Sequence, residues 1–265
     1  MSHRSKTVVL CSASLAVVAC VTSAILIARA SSESSLSLVD QNSSPPKVNG
    51  GRRNLSLQPE ALRVSRLLGK RFESSSPRTS ILIGNLTIGE SRLPLVISRR
   101  QTNSGEMVEL RLANSIMAWS AEEGMTTTAS ADAETERLLF ERLIFDSPDH
   151  FVLAQLRGAS YFTVARSVRP PAAPDDYSGP LWTIVRVDER QGDKSLQPRS
   201  SWRLYYIDSN TGLIDRIVSS LGEQTIEARI VSWTEQSDEK VPAQITWTID
   251  NREVMSYQAT SVSHN

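Results

Sequence analysis

The chain has 265 residues, 40% of them hydrophobic, and its 29 Lys/Arg exactly balance 29 Asp/Glu. A neutral total gives no electrostatic footprint for nucleic acid, and only two cysteines, Cys11 and Cys20, exclude a disulfide-rich scaffold. The balance hides an asymmetry: Lys47 to Arg100 carries a net +8, and Glu106 to Asn265 a net −9.

The first element is Thr7–Ala28, 22 residues without a charge, Pro or Gly. As a helix it would rise ~33 Å, enough for a ~30 Å hydrocarbon core. Arg4 and Lys6 precede it, and beyond Arg29 no basic residue follows until Lys47. The positive-inside bias therefore predicts a cytoplasmic N-terminus (residues 1–6), a single inner- or plasma-membrane span (7–28) and a periplasmic C-terminal domain. Two processed forms stand beside this signal anchor: cleavage after Ala28-Arg29-Ala30, and lipidation at Cys20, since Val17-Val18-Ala19-Cys20 resembles a lipobox. Both cysteines lie in the segment, so the exported part must rely on its hydrophobic core.

Residues 29–54 form a linker rich in Ser, with Pro45-Pro46 and Gly50-Gly51. The folded domain is expected over 55–265. Pro59 to Phe72 reads as a helix with Ala61, Val64, Leu68 and Phe72 on one face and Arg63, Arg66 and Lys70 on another. Together with Arg52 and Arg53, that basic stripe is a candidate contact with an anionic membrane surface. The period then changes to two. Ser80–Ile88, Pro94–Arg100 and Met107–Leu112 read as strands, with Val108, Leu110 and Leu112 on the buried side of the last.

Glu134–Phe145 reads as a second helix, carrying Leu139/Leu143 and Phe140/Ile144 as i,i+4 pairs. A third, short helix begins at Ser147-Pro148-Asp149, with Ser as N-cap and Pro at the first position, and ends at Gly158. Seven strands follow: Ser160–Ser167, Leu181–Asp188, Trp202–Asp208, Leu213–Ser219, Thr225–Trp233, Ala243–Asp250 and Val254–Ser261. Asp208–Gly212 and Asp250-Asn251 are the hairpin turns. No period of 20–50 residues recurs, which excludes propellers and solenoids.

Catalytic and metal signatures are missing from the sequence. His3 and His264 are terminal, leaving His150 alone in the folded part, and no zinc spacing, P-loop, nucleophile elbow or dinucleotide fingerprint occurs. His150 beside Asp149 at a helix start is expected on the surface. Asp175-Asp176 and Glu122-Glu123 are paired carboxylates in loop-like context. Asn42, Asn54 and Asn85 head glycosylation sequons. The expectation is a non-enzymatic protein with no cofactor, no metal and no nucleic-acid partner.

Aromatics are the remaining handle. Trp202, Leu204 and Tyr206 share one strand parity, and Ile245, Trp247 and Ile249 share another. With Trp182, they are candidates for lining a cavity on the concave face of a curved sheet.

The run Trp202-Arg203-Leu204-Tyr205-Tyr206-Ile207-Asp208-Ser209-Asn210-Thr211-Gly212-Leu213-Ile214 resembles the strand–turn–strand of the outer-membrane lipoprotein carrier superfamily (LolA/LolB-like). Thr225–Trp233 and Val241–Trp247 are similar to the next two strands of that pattern. The resemblance implies an α+β fold: an open antiparallel half-barrel whose concave face is covered by the N-terminal and two central helices. It also implies binding of lipid, lipoprotein acyl chains or another hydrophobic ligand without catalysis. The anchor points to a tethered binder rather than a free shuttle. The alternatives are a membrane-anchored interaction or scaffold module of the cell envelope, and a hydrolase.

Overall fold

The computed structural model describes residues 59–69, 72, 79–102, 105–113, 115–120, 124–127, 138–156, 159–169, 176–179, 181–189, 202–221, 223–236 and 238–264. The span 7–28, Cys20, the linker, Arg52, Arg53 and Lys70 lie outside the described residues. Among the described residues, no helix is long and apolar enough to cross a membrane.

One antiparallel sheet of twelve strands organises the chain. The strands are β1 (Thr79–Ile88), β2 (Ser91–Thr102), β3 (Gly105–Leu112), β4 (Ser115–Ser120), β5 (Gly124–Thr127), β6 (Ser160–Val168), β7 (Trp182–Asp188), β8 (Trp202–Asp208), β9 (Ile214–Leu221), β10 (Gln224–Gln236), β11 (Glu239–Ile249) and β12 (Arg252–His264). Their spatial order is β5-β4-β3-β2-β1-β12-β11-β10-β9-β8-β7-β6. Two meanders, β1–β5 and β6–β12, are thus joined by the pairing of β1 with β12, where Leu86 faces Tyr257. The sheet stays open, with β5 and β6 as its two edges. A twisted sheet of this width curls, because the right-handed twist accumulates from strand to strand.

Period-two alternation marks ten of these strands and does not mark β4 and β5. The β4 sequence SIMAWS has one β-branched residue and two serines, a poor strand signal. Its alternation is nevertheless regular, with Met117 and Trp119 buried between partly exposed neighbours.

The helical segment joins the two edges of the sheet. Its described part, Leu138–Leu156, falls between β5 and β6 in the chain and packs on the inner face, where Phe145 meets Trp119 of β4 and Phe151 meets Tyr205 of β8. It contains a π-helical stretch, Glu141–Phe145, closed by Asp146 N donating to Glu141 O at 3.3 Å, and α2 (Pro148–Leu156). Every residue from Leu138 to Pro148 is buried. Ser147 caps α2 as the sequence suggests: its Oγ accepts from His150 N at 3.3 Å.

The first helix, α1 (Pro59–Leu68), buries Ala61, Val64 and Leu68 and packs on α2 and β11. It stops at Gly69, which takes φ +96 and forms an isolated bridge with Glu239, so the helix is shorter than the apolar spacing through Phe72 suggests. Its first turn is also tied to the sheet edge, where Glu60 accepts from Arg166 of β6 at 2.9 Å.

Candidate functional site

The Asp208–Leu213 turn shows why the resembling motif has its residues. Asp208 Oδ1 accepts from Asn210 N at 2.6 Å, Thr211 Oγ1 from Leu213 N at 3.2 Å, and Asp208 O from Gly212 N at 2.7 Å. Gly212 takes φ +73, and a Cβ there would stand 2.7 Å from Leu67 Cδ1, so the turn seats α1 as well as reversing the chain.

Two features lie where the helical segment meets the sheet. The first is a cleft between the segment and strands β1, β2, β11 and β12. It encloses about 50 Å³. Ile81, Leu82, Ile97, Val241, Pro242, Ile245, Trp247, Tyr257 and Val262 line it from the sheet, and Leu143 from the helical side. One end is polar. Arg99 there donates to Ser147 Oγ at 3.0 Å and approaches Asp149 at 3.7 Å, so these groups largely satisfy one another.

The second feature is an ionic cluster sealed beneath the segment. Arg203 of β8 donates Nε to Asp146 Oδ1 at 2.9 Å and Nη1 to Glu189 Oε1 at 3.0 Å. Arg142 meets Asp146 Oδ2 at 2.6 Å and donates to Ser219 Oγ at 2.8 Å. His150 Nε2 lies 2.5 Å from the same Glu189 oxygen. Arg203, Asp146 and His150 are each only 1% exposed. Burial lowers the Arg142 pKa, with Asp146 only partly offsetting it. At Arg203 burial pulls the same way, but Asp146 and Glu189 outweigh it and the pKa is raised. Phe145 packs over this layer, its ring 5.0 Å from that of His150 and 5.6 Å from the Arg203 guanidinium.

The structure divides the candidate residues between the two faces of the sheet. Ile245 and Trp247 lie in the cleft. Ile249 is buried farther along the same face of β11. Trp202, Leu204 and Tyr206 lie on the opposite, outer face, a correction to the parity expectation. In β8 it is Arg203, Tyr205 and Ile207 that are buried, and Tyr205 packs its ring 4.7 Å from Phe151 of α2. Trp182 is also on the outer side, stacked edge-on to Tyr206 at 5.3 Å and donating to Asp215 Oδ2 at 2.9 Å. Both parities of β8 are largely apolar, and the ion pair with Asp146 accounts for the choice: it gives Arg203 a buried partner.

His150, expected on the surface, is instead buried, because α2 is enclosed between α1 and the sheet. Asp149 pairs with Arg99 rather than with the histidine. Arg63 and Arg66 are exposed on the outer side of α1, and Asp176 is exposed. Among the described residues, no group of three or more His, Cys, Asp or Glu side chains could hold a metal ion.

No protein-family model and no curated protein sequence matches the chain. Among solved structures it is similar to a DUF1329 family protein from Desulfovibrio piger, at TM-score 0.48 and 8% identity over 78% of this chain and 90% of that one. A putative outer membrane lipoprotein-sorting protein domain from Vibrio parahaemolyticus gives TM-score 0.45 and 6% identity, over 77% and 92%. A LolA superfamily protein from Nitrosomonas europaea gives 0.45 and 8%, over 77% and 91%.

Proposed function

We propose that the domain is a non-catalytic binder of a hydrophobic ligand, taken up on the inner face of the sheet and held at the membrane by the 7–28 segment. The observation that carries this reading is the apolar cleft between the helical segment and β1, β2, β11 and β12. Its space is far below the ~300–1,000 Å³ of a pocket that buries a drug-sized ligand. A lipid chain would therefore enter by displacing part of the helical segment. The cleft touches that segment through Leu143, Ser147, Pro148 and Asp149, the stretch that would have to move. The buried cluster supports a binding role over a hydrolytic one, since Asp146 and Glu189 are both engaged by arginines and His150 is 1% exposed. On this reading the exposed Arg63 and Arg66 face an anionic surface, and the domain is periplasmic.

Native mass spectrometry on residues 51–265 tests the reading. Co-purified lipid, or stoichiometric uptake of added lipid, is expected; a clean apo mass after lipid addition would overturn it.

A second reading, a tethered interaction module, draws on the outer face. There Phe162 and Val164 are 37% and 58% exposed on edge strand β6, next to the half-buried Trp182, Trp202 and Tyr206. Aromatic and Arg-rich surfaces of this kind are enriched at protein interfaces. Failure of lipid uptake together with stable capture of a defined envelope protein, lost on Phe162→Ser, would favour it.

A further inference from the structure

The open edge of the sheet at β6 brings exposed apolar side chains and arginines together where the chain enters the domain. Phe162 is 37% and Val164 58% exposed, and Trp182 and Trp202 are half-buried on the same outer face. Glu60, in the first turn of α1, accepts from Arg166 Nη2 at 2.9 Å and from Thr163 Oγ1 at 3.4 Å, so the chain preceding Pro59 enters beside β6. The charge accessible here is positive. Arg63, Arg66, Arg166, Arg169 and Arg186 are exposed, against Asp176 as the exposed acid. Asp208 is buried, and Glu60, Asp188 and Asp215 are partly covered, each accepting from a donor.

The backbone of β6 decides what can cover this edge. Its pairing with β7 shifts register twice, at Thr163/Ala165 and Ala165/Val168, and Ser167 takes φ +56. Such irregularity bends a strand and breaks the row of donors and acceptors that an added strand would need. A bilayer surface needs no such row. Its interfacial zone takes aromatic and apolar side chains, and its anionic headgroups attract arginine.

We propose that the β6 edge docks on the anionic bilayer that carries the 7–28 segment, with Phe162 and Val164 entering the interfacial zone and Arg63, Arg66, Arg166 and Arg186 meeting the headgroups. The inference rests on the membrane-tethered reading and is independent of what the cleft binds. Thirty residues, 29–58, separate the span from Pro59, a length whose r.m.s. reach as a coil is about 30 Å. A tether of that reach gives an effective concentration of about millimolar, so contacts too weak to hold a free protein suffice. β11, which bounds the cleft, is five strands from β6, about 24 Å along the sheet. Docking by this edge therefore does not cover the cleft.

Hydrogen exchange read by mass spectrometry on the full chain in nanodiscs tests this. In mixed phosphatidylcholine–phosphatidylglycerol discs, the peptide covering 160–168 is expected to exchange roughly fivefold or more slowly than in phosphatidylcholine discs. β5, the opposite edge, should exchange alike in both. Salt at ~1 M, where the screening length is ~3 Å, should remove most of the difference in the unmodified chain. The double substitution Phe162→Ser and Val164→Ser should abolish the difference in the α1 peptide as well, and leave the melting temperature unchanged because both side chains are exposed. Equal exchange of 160–168 in the two discs overturns the inference, as does protection that survives the double substitution. Protection seen only with two copies in a disc would assign the edge to a second copy, and protection that requires an added envelope protein would assign it to that protein; either overturns docking on the bilayer. Failure of the full chain to stay in the disc overturns the tether and the inference together, and leaves the hydrophobic-ligand reading of the cleft standing.

Discussion

Arg203 Nε and Asp146 Oδ1 meet at 2.9 Å with both side chains 1% exposed, joining β8 to the bend between the π-helical stretch and α2. This pair fastens the helical segment to the half of the sheet formed by the second meander. Removing one partner of such a pair leaves the other charge buried without compensation, which typically costs about 3–5 kcal/mol. Arg203→Met is therefore expected to destabilise the fold by that amount in chemical denaturation. Arg203→Lys should lose less, since it keeps the charge but not the fork that reaches Asp146 and Glu189 together. A melting curve for Arg203→Met superimposable on wild type would show that the pair contributes nothing.

The same pair explains what could and could not be read from the sequence. Strand periodicity and turn chemistry disclose ten of the twelve strands, the Ser147 cap and the Asp208–Gly212 hairpin, because these depend on nearest neighbours. The face of β8 depends instead on Asp146, 57 residues away, and a segment with two apolar parities carries no local record of that choice. His150 was legible as a helix-start residue, but its enclosure comes from α1 and the sheet packing around it. Arg142 and Asp146 do form a visible i,i+4 pair, and that spacing is the one local signal of the cluster. In β11 the burial of Ile245 and Trp247 follows from the alternation, because there only one parity is strongly apolar.

The glycines separate backbone strain from contact. Gly89 takes φ +56 with nothing within 4 Å of an added Cβ, whereas Gly84 has an ordinary φ and its Cβ would lie 2.4 Å from Tyr257 Cε2 and 2.5 Å from the Gln258 carbonyl oxygen. Gly89→Ala should cost about 1–2 kcal/mol, the penalty of the left-handed conformation alone. Gly84→Ala forces the Tyr257 ring and the β12 backbone to move, so it should cost more, about 1–3 kcal/mol or above. Differential scanning calorimetry of the two variants gives the order, and a smaller loss at Gly84 would contradict the seating of Tyr257.

Asp215 predicts a pH effect on the outer face. Burial raises its carboxyl pKa, the Trp182 indole donation works against that rise, and the Asp208 charge adds to it. A carboxyl whose folded-state pKa is above the unfolded value, ~3.9, binds more protons folded than unfolded. Its contribution therefore favours folding as pH falls through the folded-state pKa, and that gain is lost as pH rises again. Asp215→Asn removes the titration while keeping an oxygen for Trp182. Urea midpoints should thus show the variant gaining on wild type between pH 4 and pH 7; an unchanged difference across that range would refute the assignment.

Two buried tyrosines give opposite expectations for the same chemical change. The Tyr161 hydroxyl donates to the Phe151 carbonyl, anchoring β6 to α2 as the chain leaves the helical segment. The Tyr205 hydroxyl is 0% exposed as a residue and has no hydrogen-bond partner, and burial raises its pKa well above the usual tyrosine range. Deleting a made hydrogen bond costs about 1 kcal/mol, whereas deleting a buried hydroxyl that makes none removes a desolvation cost. Tyr161→Phe should lower the urea midpoint, and Tyr205→Phe should leave it unchanged or raise it. Both rings stay packed on Phe151, at centroid distances of 5.2 and 4.7 Å, so each substitution tests the hydroxyl and not the packing. Equal losses in the two variants would mean that the Tyr205 hydroxyl has a partner in solution, such as a bound water.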